Sequence, residues 1–446
     1  TAGIAAVGAL LGIESTVLDG LLRERFAGKD EVVEVNLRAA ELARRAVASW
    51  SRAATLRIEG RAEDPPALFM AGHEAVALGA VAGGAAFVAG YPMSPATSTL
   101  ADLAGWAADL GILVEQAEDE IAAINMVAGA SCAGARAMTA TSGGGFCLMT
   151  EGISLLGMIE APAVVVIGQR PGPSTGLPTR TAQSDLHLVL HAGQGFFPRI
   201  ILAPAGVRDC FGVTARAFDL AERFQVPVFV LTDQLLQDGQ AGVANLVTRD
   251  LPAARHLLGA DTLEAMDVYR RYESTSSGIS PQAAPGSSRH VVVVDSDEHD
   301  QDGHLTESAE VAEAMARKRL RKARTIEEAG LLARPVLEDD PGREHLVVSW
   351  GSTRDTLDEA CARLARRGRR CSRLHLRQLW PLPARRLVGP LERAGTVTVV
   401  ENNVSGELAT LLARCTPRRV DHRIRRMDGR PFDVAWLEDK LEEVLT

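Results

Sequence analysis

The 446-residue sequence contains only six cysteines, and no two of them stand at C-x-x-C spacing. The scattered cysteines offer neither an iron–sulfur or zinc ligand set nor the pattern of a disulfide framework, so none of these is predicted and we expect a reducing cytoplasm. The ten histidines form no H-E-x-x-H pair, and there is no G-x-S-x-G turn. Zinc-protease and serine-hydrolase chemistry therefore lack support.

Long hydrophobic runs are also missing. The most apolar stretch, AVALGAVAGGAAFVAG at 75–90, is shorter than the roughly 20 residues of a membrane span, so no membrane segment is predicted. The net charge of −9 gives no reason to expect a nucleic-acid partner. The sequence opens on TAGIAAVGALLGIES, which has no signal-peptide pattern and is typical of a start within a domain.

What the sequence does contain is a regular alternation of strands and helices. Six short apolar runs alternate with helix-length segments: AAFVAG, GILVEQ, RAMTAT, PAVVVIGQ, RIILAP and VPVFVLTD. Such alternation is typical of an α/β fold with a doubly wound, mostly parallel sheet. A second, smaller α/β pattern begins at HLVVSWGSTRD and continues through TVTVVENN and SGELATLLARC.

These patterns divide the chain into four predicted parts. Residues 1–60 form the first part, in which 1–50 are predicted to be helices with a short charged link, including the amphipathic VNLRAAELARRAVASW, and are too few to stand alone. Residues 61–250 hold the larger sheet. Residues 251–340 are predicted to be a connector, partly extended or mobile, that ends in a charged helix, and 341–446 form the smaller domain.

Three unusual loops follow strands of the larger sheet: GYPMSPATST at 90–99, TSGGG at 141–145 and QRPGPSTGLPTRT at 169–181. Ligands of doubly wound sheets bind where the strands end, so we expect these loops to converge. Ser94 and Thr97 are candidate helix caps. The glycines could present N–H groups to an anion or simply form a tight turn. The three prolines of the last loop predict a rigid frame around Arg170, although a solvated surface turn would give the same pattern.

Three consecutive acids, Glu118, Asp119 and Glu120, begin a helix after the run GILVEQ. Acids at that position can simply cap the helix. The helix is also rich in alanine and glycine, so another surface can approach it closely, and a carboxylate buried there would need a hydrogen-bond donor.

The acidic segment DSDEHDQDGH is a candidate metal site. Measured against a calcium loop, Gly303 places Ala309 where a bidentate glutamate is required. A solvated linker is therefore the preferred interpretation, and no metal site is predicted in this chain.

The loops taken together resemble one family. GYPMSPAT, QAEDEIAAINMVAGAS, ARAMTATSGGG, QRPGPSTGLPTRTAQSDL, DEHDQDGHLTE, VSWGST, HLRQLWPLP, VVENNVSGELA and DHRIRRMDGRPF occur in the order seen in alpha subunits of 2-oxoacid:ferredoxin oxidoreductases, and are most similar to those of the 2-oxoglutarate enzymes. The resemblance covers nearly the whole chain. Residues 1–60 resemble the end of a gamma-type domain, so the chain is expected to be a fragment or one part of a split polypeptide.

The resemblance implies a thiamine diphosphate enzyme made of two subunits. Residues 61–250 would hold the aminopyrimidine, and 341–446 would be a transketolase C-terminal-like domain. A beta subunit would hold the diphosphate, Mg²⁺ and a [4Fe-4S] cluster in an (αβ)₂ assembly. The implied reaction converts a 2-oxoacid and coenzyme A to acyl-CoA and CO₂, with electrons passing to ferredoxin.

The resemblance also implies roles for single residues. Glu120 would bind the pyrimidine nitrogen and promote the imino tautomer, with Glu118 as the neighbouring candidate. Arg170 and Thr179 match the binders of the substrate carboxylate, and Ser94 stands where many relatives have threonine. Two more cofactor contacts are implied in the same loop, at Tyr91 and Pro92. His73 departs from the family, since relatives commonly have asparagine there.

Two other interpretations stay open. The chain could be a transketolase-like or 2-oxoacid dehydrogenase component, which would have a partner without cluster cysteines. It could also be a non-catalytic assembly subunit, although Glu120, Arg170 and Thr179 are all present.

Overall fold

The structure is a computed structural model that describes residues 1–50, 67–249, 251, 254–329, 335–338 and 344–445. It divides into two compact units, Thr1–Pro66 and Ala67–Thr446. The predicted boundaries at 60/61, 250/251 and 340/341 each involve a residue outside the described ranges, so they stay predictions. Within those ranges, no helix has the length and apolar character needed to cross a membrane.

The described part of the first unit is helical, as predicted. Its helices are α1 (Ala2–Leu11), α2 (Ser15–Arg25) and α3 (Asp30–Ala48). The amphipathic pattern of α3 places Leu37 and Ala40 on one face, where they pack with Ala5 and Leu22.

A seven-stranded sheet forms the centre of the second unit. Its strands are β2 (Phe87–Gly90), β3 (Leu113–Gln116), β4 (Ala137–Thr141), β5 (Ala163–Gln169), β6 (Ile200–Leu202), β7 (Pro227–Asp233) and β12 (Gln378–Trp380). They lie in the order β12-β6-β7-β5-β4-β2-β3. Strands β2 to β7 correspond to the six predicted apolar runs and pair in parallel, which confirms the doubly wound fold.

Both faces of this sheet are covered by helices. Along β5, Val164 and Val166 pack into one core, and Val165 and Ile167 pack into another. The first core faces α4 (Gly72–Ala82), α5 (Thr97–Leu110) and α10 (Val207–Phe224). The second faces α6 (Glu120–Cys132), α7 (Gly143–Leu148) and α8 (Thr150–Met158). Burial on both faces explains why the central strands β5 and β7 are nearly continuous apolar runs.

The smaller α/β pattern is a five-stranded sheet in the order β14-β13-β10-β11-β9. Its strands are β9 (Val336–Glu338), β10 (His345–Trp350), β11 (Ser372–Leu376), β13 (Thr396–Glu401) and β14 (His422–Arg425). Its helices are α14 (Arg354–Arg366), α15 (Ala384–Arg393), α16 (Glu407–Cys415) and α17 (Val434–Val444). Trp350 and Val399 of this layer share a core with Val165 and Phe229 of the large sheet.

The apolar run SRLHLRQLW contains two strands rather than one. Strand β11 pairs with β10, but the chain then leaves the small sheet, and β12 pairs antiparallel with β6 at the edge of the large sheet. The backbone carbonyl of Arg377 between them accepts a hydrogen bond from Ala203 N at 2.8 Å. One stretch of chain therefore joins the two sheets.

Six further elements of the second unit connect or flank the strands of the large sheet. They are β1 (Leu68–Ala71), β8 (Gln240–Val243), α9 (Leu186–His191), α11 (Gln234–Asp238), α12 (Ala260–Glu264) and α13 (Ala309–Glu328). Strands β1 and β8 pair antiparallel as a separate two-stranded sheet.

The connector is more closely packed than expected. The charged helix α13 exists as predicted, but Lys318 and Lys322 on it are fully buried. The acidic segment is not a solvated linker at its centre, because His299 is also fully buried and its ring centroid lies 3.9 Å from that of Tyr272. Among the described residues, no group of three or more metal-ligating side chains occurs.

Candidate active site

The three consecutive acids at the start of α6 have three different environments. Asp119 is the helix N-cap, and its Oδ1 accepts a hydrogen bond from Ala122 N at 2.7 Å. Glu118 is exposed, whereas Glu120 is only 2% exposed. Capping is therefore the role of Asp119 alone, and Glu120 is the buried carboxyl group.

The Glu120 carboxyl group has an oxygen that no described residue satisfies. Its Oε1 is buried without a hydrogen-bond partner in the part of the chain that the structure describes. A Cβ atom at Gly145 would lie 2.4 Å from this oxygen, so only glycine leaves room for it. A buried carboxyl oxygen without a donor is costly, which indicates that a ligand or partner supplies the donor.

The segment TSGGG forms the turn between β4 and α7. A Cβ atom at Gly143 would lie 2.5 Å from Oδ1 of Asp185, and Gly145 contacts Glu120 in the same way. The segment therefore forms the tight turn that was one of the two interpretations, and glycine is also required there for a second reason. Two carboxyl groups approach this backbone directly.

The loop after β2 differs from the sequence prediction in its caps. Helix α5 begins at Thr97 with Ala96 as its N-cap, so the predicted capping roles of Ser94 and Thr97 are wrong. Ser94 instead precedes Pro95 in a cis peptide bond, and its carbonyl oxygen accepts a hydrogen bond from Nη1 of Arg170 at 2.8 Å. Tyr91 and Pro92 lie exposed just after β2.

The loop after β5 holds Arg170 half-buried at the end of the strand. A tight turn follows, because Leu177 N donates to the Pro171 carbonyl at 3.0 Å. Gly176 has a φ of +51°, and a Cβ atom there would lie 1.8 Å from the Pro171 oxygen. The loop is therefore compact, as its prolines and glycines predict.

Arg170 lines a cleft of about 450 Å³ between the two sheets. Its walls are the loops after β4 and β5, the residues before α9 and the loops that follow β13 and β14. The lining residues are Ser142, Gly143, Gly144, Cys147, Arg170, Pro171, Gly172, Pro173, Ser174, Ala182, Ser184, Asp185, Leu188, Asn402, Asn403, Val404, Ser405, Glu407, Met427 and Gly429. Glu120 adjoins this cleft through Gly145, the neighbour of Gly144.

The predicted site residues are only partly brought together. Arg170 and the Ser94 carbonyl are in contact, and the loops carrying them meet as expected. Thr179 is exposed and does not appear among the described residues that line the cleft. His73 lies apart on α4, where its Nδ1 is 2.6 Å from Oδ2 of Asp102.

The smaller sheet contributes residues that the sequence did not single out. Gln183 ties the loop of Arg170 to the end of β13: its N donates to the Asn402 carbonyl at 2.7 Å, and its Oε1 accepts from Asn402 N at 2.9 Å. Asn403 Nδ2 donates to the Gln183 carbonyl at 2.9 Å. The sequence feature that could have indicated these residues is the polar end of VVENN, which follows a buried strand. That this segment shares a cleft with Arg170 depends on tertiary packing.

Two acidic residues of the cleft were also missed. Asp185 is 9% exposed, and burial, followed by the charge of Glu407, raises its pKa to about 7, while Arg170 opposes the shift. Burial also raises the pKa of Glu407, although hydrogen bonds from His187 N and the Ser405 hydroxyl counteract it. The cleft therefore combines one guanidinium with two carboxyl groups that resist ionisation.

The doubly wound α/β fold and the unsatisfied Glu120 carboxyl group are suited to bind a ligand, and comparison with known families specifies the class of protein. Residues 78–318 match the family described as pyruvate flavodoxin/ferredoxin oxidoreductase, thiamine diphosphate-binding. The class of protein is thus that of thiamine diphosphate-binding oxidoreductase subunits.

Individual relatives specify the subunit. The chain is 36% identical to subunit alpha of 2-oxoacid:ferredoxin oxidoreductase 2 from Aeropyrum pernix, covering 99% of this chain and 72% of that protein. It is 35% identical to subunit alpha of 2-oxoacid:ferredoxin oxidoreductase 1 from Sulfurisphaera tokodaii, covering 84% of this chain and 60% of that protein. The chain belongs to the family of 2-oxoacid:ferredoxin oxidoreductase alpha subunits, as its motifs predicted.

A solved structure has the same fold. The 2-oxoglutarate:ferredoxin oxidoreductase from Magnetococcus marinus, with 2-oxoglutarate, coenzyme A and succinyl-CoA bound, superposes with a TM-score of 0.91 at 33% identity. The match covers 100% of this chain and 77% of that chain.

Proposed function

We propose that this chain, together with a beta subunit, oxidatively decarboxylates 2-oxoglutarate or a related 2-oxoacid with coenzyme A. The products are acyl-CoA (succinyl-CoA from 2-oxoglutarate), CO₂ and reduced ferredoxin. The observation that carries the proposal is the buried Glu120 carboxyl group, whose unsatisfied Oε1 lies over Gly145 beside the cleft of Arg170. Family membership and the ligands of the Magnetococcus marinus enzyme support the choice of reaction.

The residues around Glu120 fit thiamine diphosphate. The cofactor supplies the nucleophilic carbon and the electron sink that decarboxylation of a 2-oxoacid requires. Glu120 would share a proton through Oε1 with the aminopyrimidine ring, because this oxygen is buried and no other described group reaches it. Tyr91 and Pro92 are proposed as further contacts, and Glu118 is the secondary candidate.

Arg170 would bind the substrate carboxylate. A guanidinium donates two parallel hydrogen bonds to a carboxylate, and fixing that group orients the adjacent keto carbon. The bond from Arg170 Nη1 to the Ser94 carbonyl restricts the orientation of the side chain. Thr179 and the Ser94 hydroxyl are proposed as additional substrate contacts, and both are exposed.

The beta subunit would meet this chain on the outward face of α6. Ile121 and Met126 there are 48% and 38% exposed, and a Cβ atom at Gly129 would meet no described heavy atom within 4 Å. This face adjoins Glu120, so the partner would close the cofactor site. Mg²⁺ and the cofactor diphosphate would be held by that partner, as would the [4Fe-4S] cluster that passes electrons to ferredoxin, in a cytoplasmic (αβ)₂ assembly.

The proposal also gives each of the four parts of the chain a function. Residues 61–250 would bind the pyrimidine, 251–340 connect the layers and 341–446 form the transketolase C-terminal-like domain. Residues 1–60 would be the end of a gamma-type domain.

Replacing Arg170 by lysine is expected to raise the KM for the 2-oxoacid about 10- to 100-fold with a smaller change in kcat. Lysine keeps the charge but cannot form the planar two-bond contact, and charged hydrogen bonds contribute about 1.5 to 3 kcal/mol. The measurement is steady-state viologen reduction by the co-purified alpha–beta complex at varied 2-oxoglutarate.

The matched control is Arg180→Lys, since Arg180 is an exposed arginine of the same loop that does not line the cleft in the described structure. It should leave the KM within about twofold of the wild-type value. An unchanged KM in Arg170→Lys, or equal effects in both variants, would contradict the assignment of Arg170.

A further inference from the structure

Asp185 lines the cleft, and one of its carboxyl oxygens, the buried Oδ2, has no hydrogen-bond partner among the described residues. A Cβ atom at Gly143 would lie 2.5 Å from Oδ1 and 2.7 Å from Oδ2, so the whole carboxyl group packs on this glycine. Glu407, the other acid that lines the cleft, differs because both of its carboxyl oxygens accept hydrogen bonds. Glu407 Oε2 accepts from His187 N at 3.0 Å, and Oε1 accepts from the Ser405 hydroxyl at 3.0 Å.

The charges around Arg170 oppose binding of an anion when both acids are ionised. Arg170, Asp185 and Glu407 all line the same cleft, so one positive charge would face two negative charges. A substrate carboxylate attracted by Arg170 would then be repelled by both acids. If Asp185 is neutral, one repulsion disappears and its unpartnered Oδ2 becomes an O–H donor on a residue that lines the cleft.

We propose that Asp185 binds the 2-oxoacid as the neutral acid and donates a hydrogen bond from Oδ2 to a substrate oxygen beside Arg170. Substrate binding is then coupled to a proton on Asp185. Asp185 would be a further substrate-binding residue, and it would adjust the affinity of the site to pH. This inference rests on the proposed function, because it assumes a 2-oxoacid in this cleft.

The surroundings of Asp185 set the direction of the pH effect. Burial and the Glu407 charge raise the pKa of Asp185 to about 7, against Arg170. Of the other neighbours, partial burial and the Asp185 charge raise the pKa of the Cys147 thiol, which therefore stays neutral, and His187 Nε2 lies 3.1 Å from the Glu407 carbonyl oxygen. Asp185 is protonated below this pKa, so binding is strongest at low pH and weakens as pH rises through about 7.

The test is the KM for 2-oxoglutarate of the alpha–beta complex between pH 6 and 8. For the wild type, KM should be about tenfold higher at pH 8 than at pH 6, because only the protonated fraction binds. Asp185→Asn is neutral at every pH and keeps a donor, so its KM should change less than about twofold and fall below the wild-type KM at pH 8. Asp261→Asn, a change at an exposed acid of α12, should keep the wild-type profile.

A second variant tests the same coupling without altering Asp185. Glu407→Gln removes the neighbouring negative charge, so the pKa of Asp185 should fall and the rise in KM should begin at lower pH. A structural role alone would not move this transition.

The outcomes separate the two proposals. A wild-type KM that does not depend on pH, the same rise in Asp185→Asn, or an unmoved transition in Glu407→Gln would overturn the role of Asp185 while leaving the proposed function in place. No turnover of any 2-oxoacid by the wild-type complex would overturn the proposed function, and this inference with it.

Discussion

Replacing Glu120 by glutamine should lower the rate of 2-oxoacid oxidation roughly 10²- to 10⁴-fold, the range by which positioned proton-transfer groups accelerate reactions. Glutamine has the shape of glutamate but cannot hold and return a proton. Glu120 is 2% exposed and its Oε1 has no hydrogen-bond partner among the described residues. No other described side chain is therefore placed to take over the proton transfer. The measurement is viologen reduction by the complex at saturating 2-oxoglutarate and coenzyme A.

The control for this change is Glu118→Gln, two residues away and exposed to solvent. It should retain the wild-type rate, and both variants should co-purify with the beta subunit. Full activity of Glu120→Gln would contradict the proposed role of Glu120 in proton transfer. If Glu118→Gln were then inactive, the role would belong to Glu118.

Replacing Glu160 by glutamine should destabilise the chain by about 3–5 kcal/mol, as expected when one partner of a buried ion pair is removed. Glu160 is the carboxylate of a fully buried group in which Lys318 Nζ lies 2.5 Å from Oε1 and Lys322 contacts Oε2. Burial raises the pKa of Glu160, but Lys322, Lys318 and Arg271 outweigh it and hold that pKa well below its usual range. The variant would leave three buried cations without their counterion.

The measurement is the free energy of unfolding in urea of the purified chain. The matched control is Glu313→Gln on α13, the helix that carries Lys318 and Lys322, because Glu313 forms an exposed ion pair with Arg317 one turn away. Exposed pairs contribute less than about 1 kcal/mol, so this variant should unfold near the wild-type midpoint. Equal small losses in both variants would show that Glu160 does not hold α13 on the core.

The same cluster should respond to pH. Burial lowers the pKa of Lys322 to about 7, although Glu160 opposes the shift. A lysine with a lowered pKa takes up its proton more readily in the unfolded chain, so it contributes stability that increases as pH rises from about 7 towards the ordinary lysine value. Because burial of Lys318 acts in the same direction, α13 should not loosen in mildly alkaline buffer.

The sequence was sufficient to predict strands β2 to β7 of the large sheet, and it singled out Glu120 and Arg170 as candidate site residues. Arg170 follows the buried strand β5, and Glu120 begins the helix after the edge strand β3. The carboxyl ends of parallel strands meet at one edge of a sheet, so topology predicts that both residues lie at that edge. The resemblance supplied their roles. Those roles stay proposals, whereas the family and the fold are confirmed.

The features that could not be predicted from the sequence depend on contacts between segments far apart in the chain. Lys318 and Lys322 belong to a charged helical pattern that predicts a solvated surface, and their partner Glu160 is more than 150 residues away. Asn402 and Glu407 become site residues only because the small sheet packs against the large one. The single run SRLHLRQLW likewise gave no sign that its two halves join different sheets.

The most direct test of the central claim is to co-purify the chain with its beta subunit and to assay viologen reduction. The panel is 2-oxoglutarate, pyruvate and branched-chain 2-oxoacids, with thiamine diphosphate and Mg²⁺ present and with or without coenzyme A. We predict reduction that requires a 2-oxoacid and is stimulated by coenzyme A, with 2-oxoglutarate among the substrates. A stable complex that contains cofactor and reduces viologen with none of these acids would contradict the proposed function.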